Sequence, residues 1–152
     1  MKSFLLKNNK PIIKWGLLSD NTFFEGKVPE GFDLAVCPGK YIVVDVDRHE
    51  GSKSGWDTIR NLHFKLLTDL NSTFRYPTKN KGTHFWFKYT GNKTLMNKSS
   101  GLGIDLRIGE KGKNNGGYVK WHPRDSMDIR KEVSKIKETS LEMNKWLEKL
   151  FS

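Results

Sequence analysis

The stretch Tyr41-Ile-Val-Val-Asp-Val-Asp47 constrains this chain more than any other. It is β-branched and apolar apart from two acids, with the turn pair Pro38-Gly39 before it and Arg48-His49-Glu50-Gly51 after it. Such a run reads as a strand between turn signals. Apolar residues at successive positions fill both faces of a strand, the pattern of a central strand covered on both sides. Asp45 and Asp47 interrupt that pattern. Residues i and i+2 of a strand share a face, about 6.6 Å apart along the chain. Two carboxylates at the end of an apolar strand are costly to bury unpaired, and a hard divalent cation, Mg²⁺ or Mn²⁺, relieves that cost through oxygen ligation. The plainer alternative is a pair of surface acids where a strand meets a loop.

Further elements follow from turn signals and periodicity. Strands are expected at Thr83–Tyr89, after Gly82, at Ile104–Ile108, between Gly103 and Gly109, and at Tyr118–Trp121, after Gly116-Gly117. Leu34–Cys37 reads as a short edge strand. A helix is expected over Ser52–Leu70, where Trp56, Ile59, His63, Leu66, Leu67 and Leu70 recur at helical spacing, which makes His63 a helix-face residue. The tail, Ser126–Phe151, reads as helical, with Ile129, Val133 and Ile136 in one stripe and Thr139-Ser-Leu-Glu142 as a capping box before Trp146, Leu147 and Leu150. Grouped strands with flanking helices give an α+β or split βαβ fold. The expected organisation is a core over 1–123 and a helical tail over 124–152, packed on the core or leading to a further domain.

At 152 residues the chain has the size of one domain. Its single cysteine, Cys37, excludes an internal disulfide and a Cys-rich zinc site and suits a reducing compartment. No apolar run is long enough for a membrane span, and Met1–Lys14 shows no signal-peptide core, so a cytoplasmic location is expected. A formal net charge of +10 favours a polyanionic partner.

Four more groups carry candidate chemistry. Asp105 lies on an expected strand with Arg107 on its own face: a third metal ligand beside a phosphate-binding cation, or a simple ion pair. His84 shares a face with Trp86 and Lys88, opposite Phe85 and Phe87, and the alternation places it on the open side of its strand; a structural histidine is the alternative. Thr78-Lys-Asn-Lys-Gly82, with Lys79 and Lys81, reads as a turn able to cradle phosphates. Gly117 permits close approach to a ligand or makes an ordinary hairpin, and Tyr118 and Lys120 share the next strand face, Lys120 as a phosphate contact or as a solvated strand lysine. The four histidines, His49, His63, His84 and His122, show no zinc-ligand spacing.

Together, Asp45-Val-Asp47, Gly82-Thr-His84, Gly103-Ile-Asp105-Leu-Arg107 and Gly116-Gly-Tyr-Val119 stand in the order and approximate spacing of the bifunctional primase-polymerase domain of the archaeo-eukaryotic primase superfamily. Lys10–Trp15 and Asp33–Gly39 also resemble it, so that the likeness spans roughly residues 8–123. The resemblance implies an RRM-like sheet module packed with a second α/β unit around a catalytic cleft. It implies that Asp45, Asp47 and Asp105 hold two divalent ions and that His84, behind a small residue at Gly82, contacts the phosphates of an incoming NTP or dNTP. Lys120-Trp-His-Pro123 departs from the apolar, proline-containing sequence that follows in the family. The implied activity is template-directed nucleotidyl transfer on single-stranded DNA, as primase, polymerase or both, in the replication of a phage, plasmid or mobile element, where relatives carry a helicase domain after the catalytic core. Two other readings use the same residues: a metal-dependent nuclease, and a non-catalytic nucleic-acid-binding replication module.

Overall fold

In the computed structural model, which describes residues 1–48, 54–109, 117–122 and 128–152, the elements run β1 (Lys2–Lys7), β2 (Lys10–Pro11), β3 (Phe32–Cys37), β4 (Ile42–Val46), α1 (Gly55–Arg60), α2 (Phe64–Ser72), β5 (Arg75–Pro77), β6 (Thr83–Lys88), β7 (Lys98–Ser99), β8 (Ile104–Ile108), β9 (Val119–Trp121), α3 (Ile129–Glu132), β10 (Lys137–Glu138) and α4 (Leu141–Phe151). Two sheets result. The first has the order β2-β1-β3-β9, and the second β10-β6-β4-β8-β7 with β5 also on β6. Pairing is antiparallel except where β10 joins β6. The expected α+β class is therefore met by two largely antiparallel sheets with helices on one of them.

β4 runs between β6 and β8, which explains its composition. Ile42, Val44 and Val46 face the helices, in a core with Phe85, Phe87, Ile104 and Leu106 that Ile59 of α1, Leu66 and Leu70 of α2, and Met143, Leu147 and Phe151 of α4 complete. Val43 faces the other way and joins Trp86, Tyr76, Val36, Val119 and Trp121 between the two sheets. Both faces of the strand are covered, so both are apolar.

Several boundaries differ from expectation. β3 is longer than Leu34–Cys37 and is no edge: Lys2–Lys7 forms an unforeseen neighbour, pairing Phe4 with Ala35 and Leu6 with Asp33, while β9 covers its other side. The helix expected from Ser52 to Leu70 is two helices. Asn61 ends the first, and His63 is the N-cap of the second, its Nδ1 accepting from the Lys65 N–H at 3.2 Å. His63 is accordingly an exposed cap rather than a helix-face residue. The tail is not one helical stretch either. α3 passes through a 3₁₀ turn at Val133–Lys135 into β10, and Ser140 rather than Thr139 caps α4, accepting from Met143 N–H at 3.1 Å. Thr139 turns inward instead, 2.5 Å from Asn144 Oδ1. The expected helix starts at Ser52 and Ser126 and the turns at His49–Gly51, Gly116 and Pro123 lie outside the described residues. Among the described residues no helix is long and apolar enough to cross a membrane.

Candidate active site

The register of the second sheet lines up five side chains in one row. Tyr76 of β5 stands opposite His84 of β6, His84 opposite Asp45 of β4, Asp45 opposite Asp105 of β8, and Asp105 opposite Ser99 of β7. All five share the face of Val43 and Trp86, the one turned toward the first sheet. The row is where the apolar filling between the sheets gives way to polar groups.

Asp45 and Asp105 are its centre. Their side chains are 19% and 18% exposed, and like charges directly opposite across a pair of strands destabilise it. Arg107 offsets one of them, with Nη2 3.3 Å from Asp105 Oδ2. Asp45 has less support. His84 Nε2 lies 3.4 Å from its Oδ1 without the alignment of a hydrogen bond, and that oxygen is buried with no hydrogen-bond partner. A buried carboxylate oxygen left in this state costs free energy that a cation would recover.

Asp47 follows the last paired residue of β4. Its N–H donates to Gly103 O at 2.8 Å and its carbonyl accepts from Gly55 N–H at 3.0 Å. Neighbouring backbone closes tightly around this strand end. A Cβ on Gly55 would sit 2.2 Å from Gly103 O, and one on Gly82 would sit 2.6 Å from Val46 O. These contacts explain glycine at both places and hold the turn before β6 against the segment that carries Asp47.

His84 is not on an open side. It is 5% exposed, because the face it shares with Trp86 packs toward the first sheet. Its Nδ1 is 2.7 Å from the hydroxyl of Tyr76, while Nε2 is 3.4 Å from Asp45 Oδ1 without a hydrogen bond. Lys79 and Lys81 are exposed on the Thr78–Gly82 turn, which is closed by Thr78 N–H to Gly82 O at 2.9 Å and lies at the Val46 end of the sheet.

Gly117, Tyr118 and Lys120 lie away from the row. Val119 and Trp121 of β9 point between the sheets, so alternation turns Tyr118 and Lys120 to the far face of the first sheet. There Tyr118 packs edge-on against Phe4 and Trp15, and Lys120 bonds Asn9 and lies 3.6 Å from Asp33. Gly117 donates to Ile108 O at 2.6 Å, three residues beyond Asp105 along β8. Conversely, Tyr76 and Ser99 belong to the row and were not anticipated. Tyr76 lies in a three-residue strand ending in Pro77, too short to be read from periodicity.

Among the described residues, no three His, Cys, Asp or Glu side chains converge closely enough to hold a metal by themselves. The donor set nonetheless fits a hard divalent ion: paired carboxylate oxygens, one of them buried and unsatisfied. Mg²⁺ in particular is commonly held by one or two carboxylates, with water and substrate phosphate completing its shell.

The sequence model of the bifunctional DNA primase/polymerase N-terminal domain matches residues 14–142. The chain belongs to that family. The match runs from the start of the Trp15–Leu17 turn to the first residues of α4, so it takes in the whole second sheet with its carboxylate row, and β3 and β9 of the first sheet, while β1 and β2 precede it. Comparison with curated proteins finds no match.

Proposed function

We propose that this bifunctional primase-polymerase domain is a template-directed nucleotidyltransferase that extends, and starts, DNA strands on a single-stranded template, using NTPs or dNTPs and two divalent ions, Mg²⁺ or Mn²⁺. Asp45, Asp105 and, one step along the strand, Asp47 would hold those ions, which would activate the attacking 3′-hydroxyl and neutralise the leaving pyrophosphate. One observation carries the reading: Asp45 and Asp105 occupy directly opposed positions on β4 and β8, and the buried Oδ1 of Asp45 has no hydrogen-bond partner.

The chain's own residues do the positioning on which phosphoryl transfer depends. Arg107 restrains Asp105 and, 35% exposed, still offers donors to a phosphate. Lys79 and Lys81 bring positive charge to the same end of the sheet, where a triphosphate would lie against the Gly82 turn. His84 backs Asp45 from the side opposite Asp105. No protein nucleophile is required. The second sheet with its helices would be the RRM-like module of the superfamily and the first sheet its partner unit, the template running along the basic surface in the cytoplasm of a prokaryotic or phage-infected cell, where a replicative helicase would supply single strands.

The test is primer extension on a single-stranded template, with and without primer and with NTPs and dNTPs supplied separately. Wild-type protein should incorporate nucleotides only when Mg²⁺ or Mn²⁺ is present, and folded Asp45→Ala protein should not. Incorporation by Asp45→Ala at the wild-type rate would remove the assignment.

A further inference from the structure

A buried phenol, that of Tyr76, stands beside His84. Tyr76 is 3% exposed, and burial raises its hydroxyl well above the usual phenol range, so it remains a protonated donor. The ring is clamped from two directions. Trp121, reaching from β9 of the other sheet, meets it edge-on at 4.7 Å between centroids, and His84 meets it edge-on at 5.1 Å. The hydroxyl is 2.7 Å from His84 Nδ1, and His84 Nε2 is 3.4 Å from Asp45 Oδ1. Phenol, imidazole and carboxylate therefore form one line across three adjacent strands, β5, β6 and β4.

A neutral imidazole carries its proton on one nitrogen. With the proton on Nδ1, the lone pair of Nε2 would face a carboxylate oxygen and the phenol would have to accept. With the proton on Nε2, the phenol donates to Nδ1 and the N–H end of the ring faces Asp45. Only the second arrangement satisfies the phenol as donor and turns a positive dipole toward the carboxylate.

We propose that Tyr76 is a positioning residue: its hydroxyl selects the Nε2-protonated form of His84 and turns that edge of the ring toward Asp45. The phenol acts on the carboxylates only through the imidazole, in the manner of the outer groups that orient metal-site ligands. Because Trp121 braces it, the alignment of the site also depends on packing between the two sheets. Its consequence for turnover rests on the nucleotidyltransferase reading; the selection of the imidazole proton does not.

The decisive experiment is long-range ¹H–¹⁵N correlation of the imidazole rings in metal-free protein, at a pH above the ordinary imidazole range, with His84→Gln used to assign the His84 signals. Wild-type protein should show His84 protonated on Nε2, and Tyr76→Phe should move its two nitrogens toward averaged, mixed-tautomer shifts. A wild-type ring protonated on Nδ1, or a Tyr76→Phe spectrum with His84 unchanged, overturns the proposal, and the wild-type measurement decides even if the variant folds poorly. In primer extension, Tyr76→Phe should lower kcat about tenfold while leaving the nucleotide KM within about twofold of wild type. An unchanged kcat beside an altered imidazole overturns the positioning role. Nucleotide incorporation absent from wild-type protein would instead strike the function and leave the imidazole result intact.

Discussion

Asp45 and Asp105 stand directly opposite one another on β4 and β8, so the fold holds two negative charges side by side where an ordinary sheet would place a complementary pair. Such an opposition costs a few tenths to about 1 kcal/mol. Asp45→Asn should therefore melt at the same temperature as wild type or higher in the presence of a chelator, while losing nucleotide incorporation. Adding Mg²⁺ should invert the order. Wild-type protein should gain stability with ion concentration, by about 2.7 kcal/mol at a hundred times the dissociation constant, and Asp45→Asn should gain little. Thermal melts across a Mg²⁺ titration check both parts. A wild-type melting point indifferent to Mg²⁺ would show that the opposed carboxylates do not recruit an ion.

Gly82 makes a steric prediction. Its position tolerates no Cβ, because the nearest atom is a backbone carbonyl, Val46 O, and not a side chain able to swing away. Gly82→Ala should cost about 1–3 kcal/mol, the usual range for overpacking, and should reduce incorporation by pushing the strand end that carries Asp47. Gly16→Ala, where nothing lies within 4 Å of the added methyl, should leave both quantities unchanged. Equal melting points for the two variants would show that the turn yields without effect.

Much of the carboxylate row was legible from the chain alone, and the part that was not has a common cause. Alternation within a strand distinguishes its two faces, and it put Asp45 with Asp47, Asp105 with Arg107, and His84 with Trp86. It does not say what covers each face. His84 therefore read as open although the first sheet packs over its side, and Tyr118 and Lys120 read as site residues although β9 turns them to the far face of that sheet. Short elements escaped for a different reason. β5 is three residues ending in Pro77, and the apolar spacing that continues past Asn61 conceals a break made by local capping at His63. In both cases a few specific hydrogen bonds or a strand pairing outweighed the periodic signal.

Lys79 and Lys81 test whether the turn before β6 handles phosphate. Both are exposed, so replacing them should leave the fold alone. The Lys79→Ala/Lys81→Ala protein should raise the KM for nucleotide about tenfold, equivalent to ~1.4 kcal/mol, with kcat nearly unchanged, the signature of lost ground-state binding. The difference from wild type should shrink as salt is added, because exposed charges are screened. Steady-state incorporation at low and high ionic strength measures it. A fall in kcat at constant KM would place the lysines in the chemical step instead.

Phe151 shows that the tail belongs to the core. It is the last residue of α4, and helix ends usually fray. Yet it is fully buried against the helix-facing side of the second sheet, with Met143 and Leu147 on the same stripe of α4. Its carbonyl accepts from Met96 N–H at 2.9 Å, tying the helix end to the segment before β7, and β10 adds a strand beside β6 just ahead of the helix. The core that backs Val44 and Val46, and so the strand bearing Asp45, is thus closed by α4. Phe151→Ala should cost about 3–5 kcal/mol, the range for truncating a buried aromatic, measured by denaturant unfolding. Lys149→Ala, on the same helix but not among its buried residues, should cost almost nothing. A loss near zero for Phe151→Ala would mean that α4 detaches in solution and that the sheet carrying the carboxylates stands without it.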